Sequence, residues 1–233
     1  MSSEKFVPNK TALITLIAAC LVVIISLGIR QTFGLFFFDF EMDLGCTQTE
    51  FGFAMGIQLL FWGLLGPIFG IITDKYGGRI AVIIGFLFYL AGIYFLNYGP
   101  NTGFWFTFDI GILIGIGLGA TAISIPVSIV AKHFPLNTRT MATGIVTAAG
   151  SFGYFISPMY TRYTLLEFGW NTTLVIFGIM VIVGLFISGC VFTKLVTAPL
   201  RVSGAVISAI PFVGNQIDEV IDQSADLIDE LPY

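Results

Sequence analysis

Charge is the scarcest property of this sequence. Only 10% of its 233 residues are Asp, Glu, Lys or Arg, where a water-soluble domain carries about 25%. Hydrophobic residues make up 56%, and the mean hydropathy is +0.94. A soluble globular fold is excluded. Histidine occurs once, at His133, and cysteine three times, at Cys20, Cys46 and Cys190 in distant segments. No disulfide framework, metal-ligand spacing or base-nucleophile pair can be built from so few, so neither an enzyme nor a metal site is expected and no cofactor is implied. Basic residues are missing after Arg201: residues 202–233 hold six acids and no Lys or Arg, whereas residues 1–201 hold all ten basic residues against eight acids. The tail is chemically distinct, and the net charge of −4 gives no reason to expect nucleic acid as a partner.

What is abundant is long uncharged sequence. Stretches free of Asp, Glu, Lys and Arg run Thr11 to Ile29, Phe51 to Thr73, Ile80 to Phe108, Ile110 to Ala131, Thr140 to Thr161 and Phe168 to Thr193. Each is long enough for a bilayer crossing, which needs about 20 apolar residues. The third contains the turn cluster Asn97 to Gly103, so a helix is expected to end near Leu96 and the next to begin near Phe104. The expected fold is an all-α membrane protein with six transmembrane helices. Its parts are a cytoplasmic N-terminus over 1–10, a six-helix domain over 11–193 and a cytoplasmic tail over 194–233. In the tail, Ile217, Val220, Ile221, Leu227, Ile228 and Leu231 recur at helical spacing among acids, which predicts an acidic amphipathic helix.

Orientation follows from the cations. Lys5, Lys10, Lys75, Arg79, Lys132, Arg139, Lys194 and Arg201 fall in alternate loops, which predicts both termini inside a multi-pass protein of the cell (inner) membrane. The opposite side receives Asp39, Glu41, Asp43 and Glu50, and later Arg162 and Glu167. No cleaved leader is expected, because Met1 to Lys10 has no apolar core of its own.

One inside loop carries a pattern of glycines and charges: Gly66-Pro67-Ile68-Phe69-Gly70-Ile71-Ile72-Thr73-Asp74-Lys75-Tyr76-Gly77-Gly78-Arg79. Glycines at a helix end permit close backbone approach, and a carboxylate there complements an exposed helix N-terminus. The string resembles the signature of the major facilitator superfamily of secondary transporters. Phe134-Pro135 with Arg139, Ala142 and Gly144 resembles that family's loop between helices four and five, and Gly169-Trp170 stands where its sixth helix opens. Gly144, Gly153 and Pro158 keep the spacing of its antiporter-type motif, although Ser157, Thr161 and Arg162 replace expected glycines. Gly28-Ile29-Arg30-Gln31-Thr32-Phe33-Gly34 and Thr147 to Gly153 look most like the monocarboxylate and oxalate/formate branch. In the fourth helix Gly111 stands where the family often has an arginine. Gly66-Pro67 with Tyr76-Gly77, and Ser157-Pro158 with Phe168-Gly169, recur at similar spacing, in keeping with two inverted three-helix repeats.

The resemblance implies half of a twelve-helix carrier that moves a small organic anion, such as a monocarboxylate, by alternating access. A homodimer or a second transporter half would complete it, with Asp74 facing that second body. Gly70, Asp74, Lys75, Gly77, Gly78 and Arg79 would form the cytoplasmic gate, with Gly144, Gly153 and Pro158 as hinge or packing positions. Arg30 interrupts an apolar segment from Thr11 to Phe38 that is about 42 Å long as helix, against a hydrocarbon core of about 30 Å. Two readings are open: Arg30 and Gln31 hold the anion, with Ser26 nearby, or Arg30 snorkels to the outer interface. Asp109, near the outer surface, pairs with Arg162 as a clamp, plays a structural part, or carries a proton. His133 reads as a solvated loop residue. The glycine series Gly52/Gly56, Gly66/Gly70 and Gly111/Gly115/Gly119 reads as helix packing, and Pro126 and Pro158 as kinks. The rival class is a non-transporting membrane scaffold, or a transporter fragment, that acts through its acidic tail.

Overall fold

The computed structural model describes residues 10–100 and 102–191; the acidic helix expected from Ile217 onward lies outside them. Among the described residues there is no strand, and five helical elements are long and apolar enough to cross a membrane. They are α1 (Lys10–Leu44), α2 (Gln48–Tyr76), α3 (Gly78–Tyr98), α4 (Gly103–His133) and α5 (Leu136–Val191). Helix is the outcome hydrocarbon enforces, because only an element that satisfies its own backbone can lie in it. Buried hydroxyls obey the same constraint: Ser26, Thr121 and Ser188 each donate to the carbonyl four residues earlier at 2.7–2.9 Å.

The chain is punctuated where local chemistry permits. Gly45 ends α1 in the left-handed region at φ 65°, its N–H donating to the Phe40 carbonyl. Thr47 then opens α2 with a reciprocal cap: the Glu50 N–H donates to Thr47 Oγ1 at 3.3 Å, and the Thr47 N–H to Glu50 Oε2 at 2.9 Å. Gly77, at φ 90°, turns the chain from α2 into α3. In α4 the helix breaks at Ala122, at φ −66° and ψ −134°. That is four residues before Pro126, where the proline ring excludes the carbonyl. Pro158 lies inside α5 with the backbone helical through it.

Two elements differ from expectation. The loop expected from Asp39 to Glu50 is mostly helix: α1 continues through a tighter turn at Phe33–Phe36 to Leu44, because Phe33, Phe36 and Phe40 are fully buried and hold it in the core. Only residues 45–47 connect α1 to α2. The last two apolar stretches form one 56-residue element interrupted at Gly169, φ 76° and ψ 172°. The rings of Tyr160 and Phe177 lie 6.3 Å apart, whereas 17 residues of straight helix would separate them by about 25 Å. Residues 136–168 and 170–191 therefore fold back as two arms.

α1 takes α5 as its principal partner, and α4 packs against α3 and α2. Glycines make these contacts close. A methyl group at Gly111, Gly115 or Gly119 of α4 would strike α2 at Ala54 and Ile57, at Gln58 and Phe61, or at Leu65, all at about 3 Å. Gly153 lies against the Ile24 backbone, with its carbonyl oxygen 2.8 Å from where a Cβ would stand. By contrast, Gly52, Gly56, Gly63, Gly66 and Gly70 of α2 and Gly144 of α5 have nothing within 4 Å of that position. The expected packing role therefore holds within this chain for the α4 glycines, and the α2 glycines face outward.

Gly153→Ala is expected to destabilise the chain by about 1–3 kcal/mol, because rigid backbone cannot yield to the added carbon. Gly56→Ala should leave stability unchanged or slightly raised. Thermal unfolding of the purified variants in detergent compares the two.

Candidate functional site

Arg30 lies in the interior of an apolar element, about 5 Å beyond the midpoint of α1. Its guanidinium carbon stands 5.2 Å from the centre of the Trp62 ring on α2. Such a cation over an indole face is attracted by about 2 kcal/mol when water is excluded. Its Nε is buried and has no hydrogen-bond partner. Tyr89 of α3 is fully buried and donates from its hydroxyl to the Ser26 carbonyl at 3.1 Å. It lies within electrostatic reach of Arg30, Tyr154 and Tyr160. The Tyr160 hydroxyl is buried beside Ser157 and Thr161. A cation with unspent donor capacity thus lies over an indole of α2 and within electrostatic reach of a buried tyrosine of α3.

Gln31 is exposed, on a different face from the buried Ser26, whose hydroxyl is spent on the Val22 carbonyl. Trp62, Tyr89 and Tyr160 are the residues that sequence reasoning missed. A signal was available: an amphipathic aromatic inside an apolar helix needs a partner for its polar tip.

At the C-terminal end of α2, Asp74 accepts from Lys132 Nζ at 2.8 Å, tying α2 to the end of α4. Both side chains are more than half exposed, at 73% and 54%, so this pair contributes about 1 kcal/mol at most. Lys75 lies over the Tyr76 ring at 5.5 Å, and Gly78 packs on Ile129 of α4. The expected gate residues thus share one end of the bundle with Lys132. His133, in the last turn of α4, has Nδ1 2.6 Å from the Ile129 carbonyl.

The other end is acidic. Asp43 accepts from the Trp170 indole N–H at 2.5 Å, just past the break at Gly169, and the Trp170 ring stacks edge-on against Phe40 at 5.5 Å. Asp109 is 2% exposed, and its Oδ1 is sealed from solvent with no hydrogen-bond partner. Arg162 is exposed, and in this structure the two do not pair: the ion pair among the described residues is Lys132–Asp74. Asp109 borders a cavity of about 190 Å³ with Glu50, Cys46, Gly103, Thr102 and Leu96. Burial holds the Cys46 thiol above its ordinary range, and the Glu50 and Glu41 charges push the same way, with a backbone hydrogen bond from Phe51 opposing them.

Comparison with known proteins agrees with the motif-based resemblance. Monocarboxylate transporter 6 of Homo sapiens is 22% identical over 180 residues, covering 77% of this chain and 34% of that protein. Monocarboxylate transporter 14 of Homo sapiens is 27% identical over 60% of this chain and 26% of its own length. Monocarboxylate transporter 2 of Mesocricetus auratus is 27% identical over 76% of this chain and 37% of its own. The chain therefore spans between about a quarter and two fifths of the curated relatives it matches. It is similar to transporters of the major facilitator superfamily, consistent with one half of that fold. A second match has a different character: residues 173–230 fit a family of unknown function (DUF6726).

Because the thiolate is the reactive form, Cys46 should alkylate more slowly at neutral pH than an unperturbed thiol of pKa about 8.5. Its rate should still be rising above that pH. Maleimide labelling read by mass spectrometry, with Cys20 and Cys190 replaced by serine, measures the profile.

Proposed function

We propose that this chain is the substrate-binding N-terminal half of a facilitator-type secondary transporter that moves a small organic anion, such as a monocarboxylate, by alternating access. The observation that carries this reading is Arg30: a guanidinium inside an apolar element, stacked on Trp62, with a buried Nε that has no protein acceptor. A planar fork of donors in that setting matches a carboxylate, and a cation kept within hydrocarbon depth is costly unless it faces a functional cavity. The relatives named as monocarboxylate transporters support the same substrate class. Trp62, Tyr89 and Tyr160 shape the apolar and hydroxyl walls around the anion, and Gln31 is the weaker part of the expected contact.

The same reading requires a second body. At about 100° per residue, Gly52, Gly56, Gly63, Gly66 and Gly70 fall within one stripe about 80° wide along α2, and each has open space where a side chain would stand. In lipid, small residues aligned on one helix face favour close helix association. Phe152, Phe155 and Met159 of α5 are also exposed. These surfaces suit a second copy of the chain or the other transporter half, whose sliding contact with Asp74, Lys75, Gly77, Gly78 and Arg79 forms the inside gate. The positive-inside pattern puts that gate and both termini in the cytosol, with six passes counted by taking the two arms of α5 separately.

Reconstituted vesicles test the proposal. Uptake of a radiolabelled monocarboxylate is expected with the purified chain, to fall at least tenfold in Arg30→Ala and to survive deletion of residues 202–233. Uptake unaffected by Arg30→Ala refutes the assignment. Gly56→Leu with Gly63→Leu is expected to lower the mass of the solubilised particle from dimer to monomer with little change in unfolding temperature, as read by light scattering.

A further inference from the structure

At the acidic end of the bundle, a polar cavity and an unsatisfied carboxyl coincide. Asp109 is 2% exposed, and its Oδ1 is buried without a partner, an arrangement costly for an isolated polar group. It sits in a π-helical turn, Thr107–Leu113, whose Asp109 carbonyl accepts from the Ile114 N–H. Such turns are rare and concentrate at functional sites. The cavity beside it measures about 190 Å³, several times the roughly 30 Å³ of one water molecule.

The charged side chains that line this cavity are both carboxyls, Asp109 and Glu50. Glu50 spends Oε2 on the Thr47 N–H and hydroxyl at 2.9 and 2.8 Å; its Oε1 lies against Gly103, which also lines the cavity. Gly103 has no room for a Cβ beside that oxygen. α3 ends here, with Phe95 and Leu96 in the wall, so the negative end of its dipole faces the cavity, whereas α2 and α4 begin beside it, near Glu50 and at Gly103, and turn their positive ends toward it. The preference for a cation comes from the two carboxyls. No Lys or Arg lines it, and Asp39, Glu41 and Asp43 near the same end strengthen the local field. Only two carboxyls line the cavity, one of them half committed to a helix cap, which balances a single positive charge better than a double one. A proton alone would need no room of this size.

We propose that this cavity binds one small monovalent cation of the sodium class, with its remaining waters, between Asp109 and Glu50. The site is separate from Arg30 and stands whether or not the anion assignment holds.

The test is thermal unfolding of the full chain in detergent, with sodium chloride substituted for choline chloride at constant ionic strength and pH. The unfolding midpoint is expected to rise saturably with sodium, equally in Arg30→Ala, and the rise is expected to vanish in Asp109→Asn. Asp109→Glu, which keeps the carboxyl, should retain the response at a shifted half-saturating concentration. Saturable binding of radioactive sodium to the wild-type chain, one ion per chain, gives the same answer if Asp109→Asn does not fold. A wild-type midpoint indifferent to sodium, as a merely protonated Asp109 would give, overturns the proposal. So does a response undiminished in Asp109→Asn.

Discussion

Hydrocarbon offers no hydrogen bonds, and almost every feature of this chain answers that deficit. Backbone groups close on themselves in helix, and buried hydroxyls such as Ser26 and Thr121 turn back onto their own helix. The connections between α1 and α2 and between α2 and α3 shrink to a few residues managed by glycine and a threonine–glutamate cap. Under such a regime an unsatisfied polar atom stands out. Arg30 Nε and Asp109 Oδ1 are both sealed and unpartnered. One is cationic and the other acidic, and they lie at different depths.

Glycine divides into two populations with different physical roles. Those of α4, with Gly85 and Gly92 of α3 and Gly153 of α5, stand where backbone meets neighbouring helix at about 3 Å. They let α2, α3, α4 and α5 approach closely where lipid tails supply no hydrophobic driving force between helices. The α2 stripe from Gly52 to Gly70 touches nothing. Composition cannot tell the two populations apart, because both show the same four-residue spacing.

Much of the architecture was legible because it depends on length and charge alone. The turn at Asn97 to Gly103 ended one helix and began another within two residues of expectation, and Pro126 broke its helix one turn upstream. The extent of α1 was not legible: Asp39, Glu41 and Asp43 marked a loop by charge, yet the interleaved Phe36 and Phe40 faced the core and kept the segment helical. At the site, Arg30 was conspicuous as a lone cation, but Trp62 and Tyr89 come from helices far away in sequence, and only packing brings them to it. Asp109 was placed by charge spacing near one end of its helix, but its burial in a π turn leaves no trace in hydropathy. The match at residues 173–230 crosses the end of α5, so the compositional change at residue 202 does not coincide with its boundary.

The hydrogen bond from Trp170 to Asp43 joins residues 127 positions apart, and α1 packs chiefly on α5. α1 therefore meets its main neighbour only after α2, α3 and α4 have been synthesised. Until the segment beyond Gly169 has been translated, Phe36 lacks the Phe177 ring and Phe40 lacks the Trp170 ring. The packing of α1 is thus a long-range contact, of the kind that slows folding.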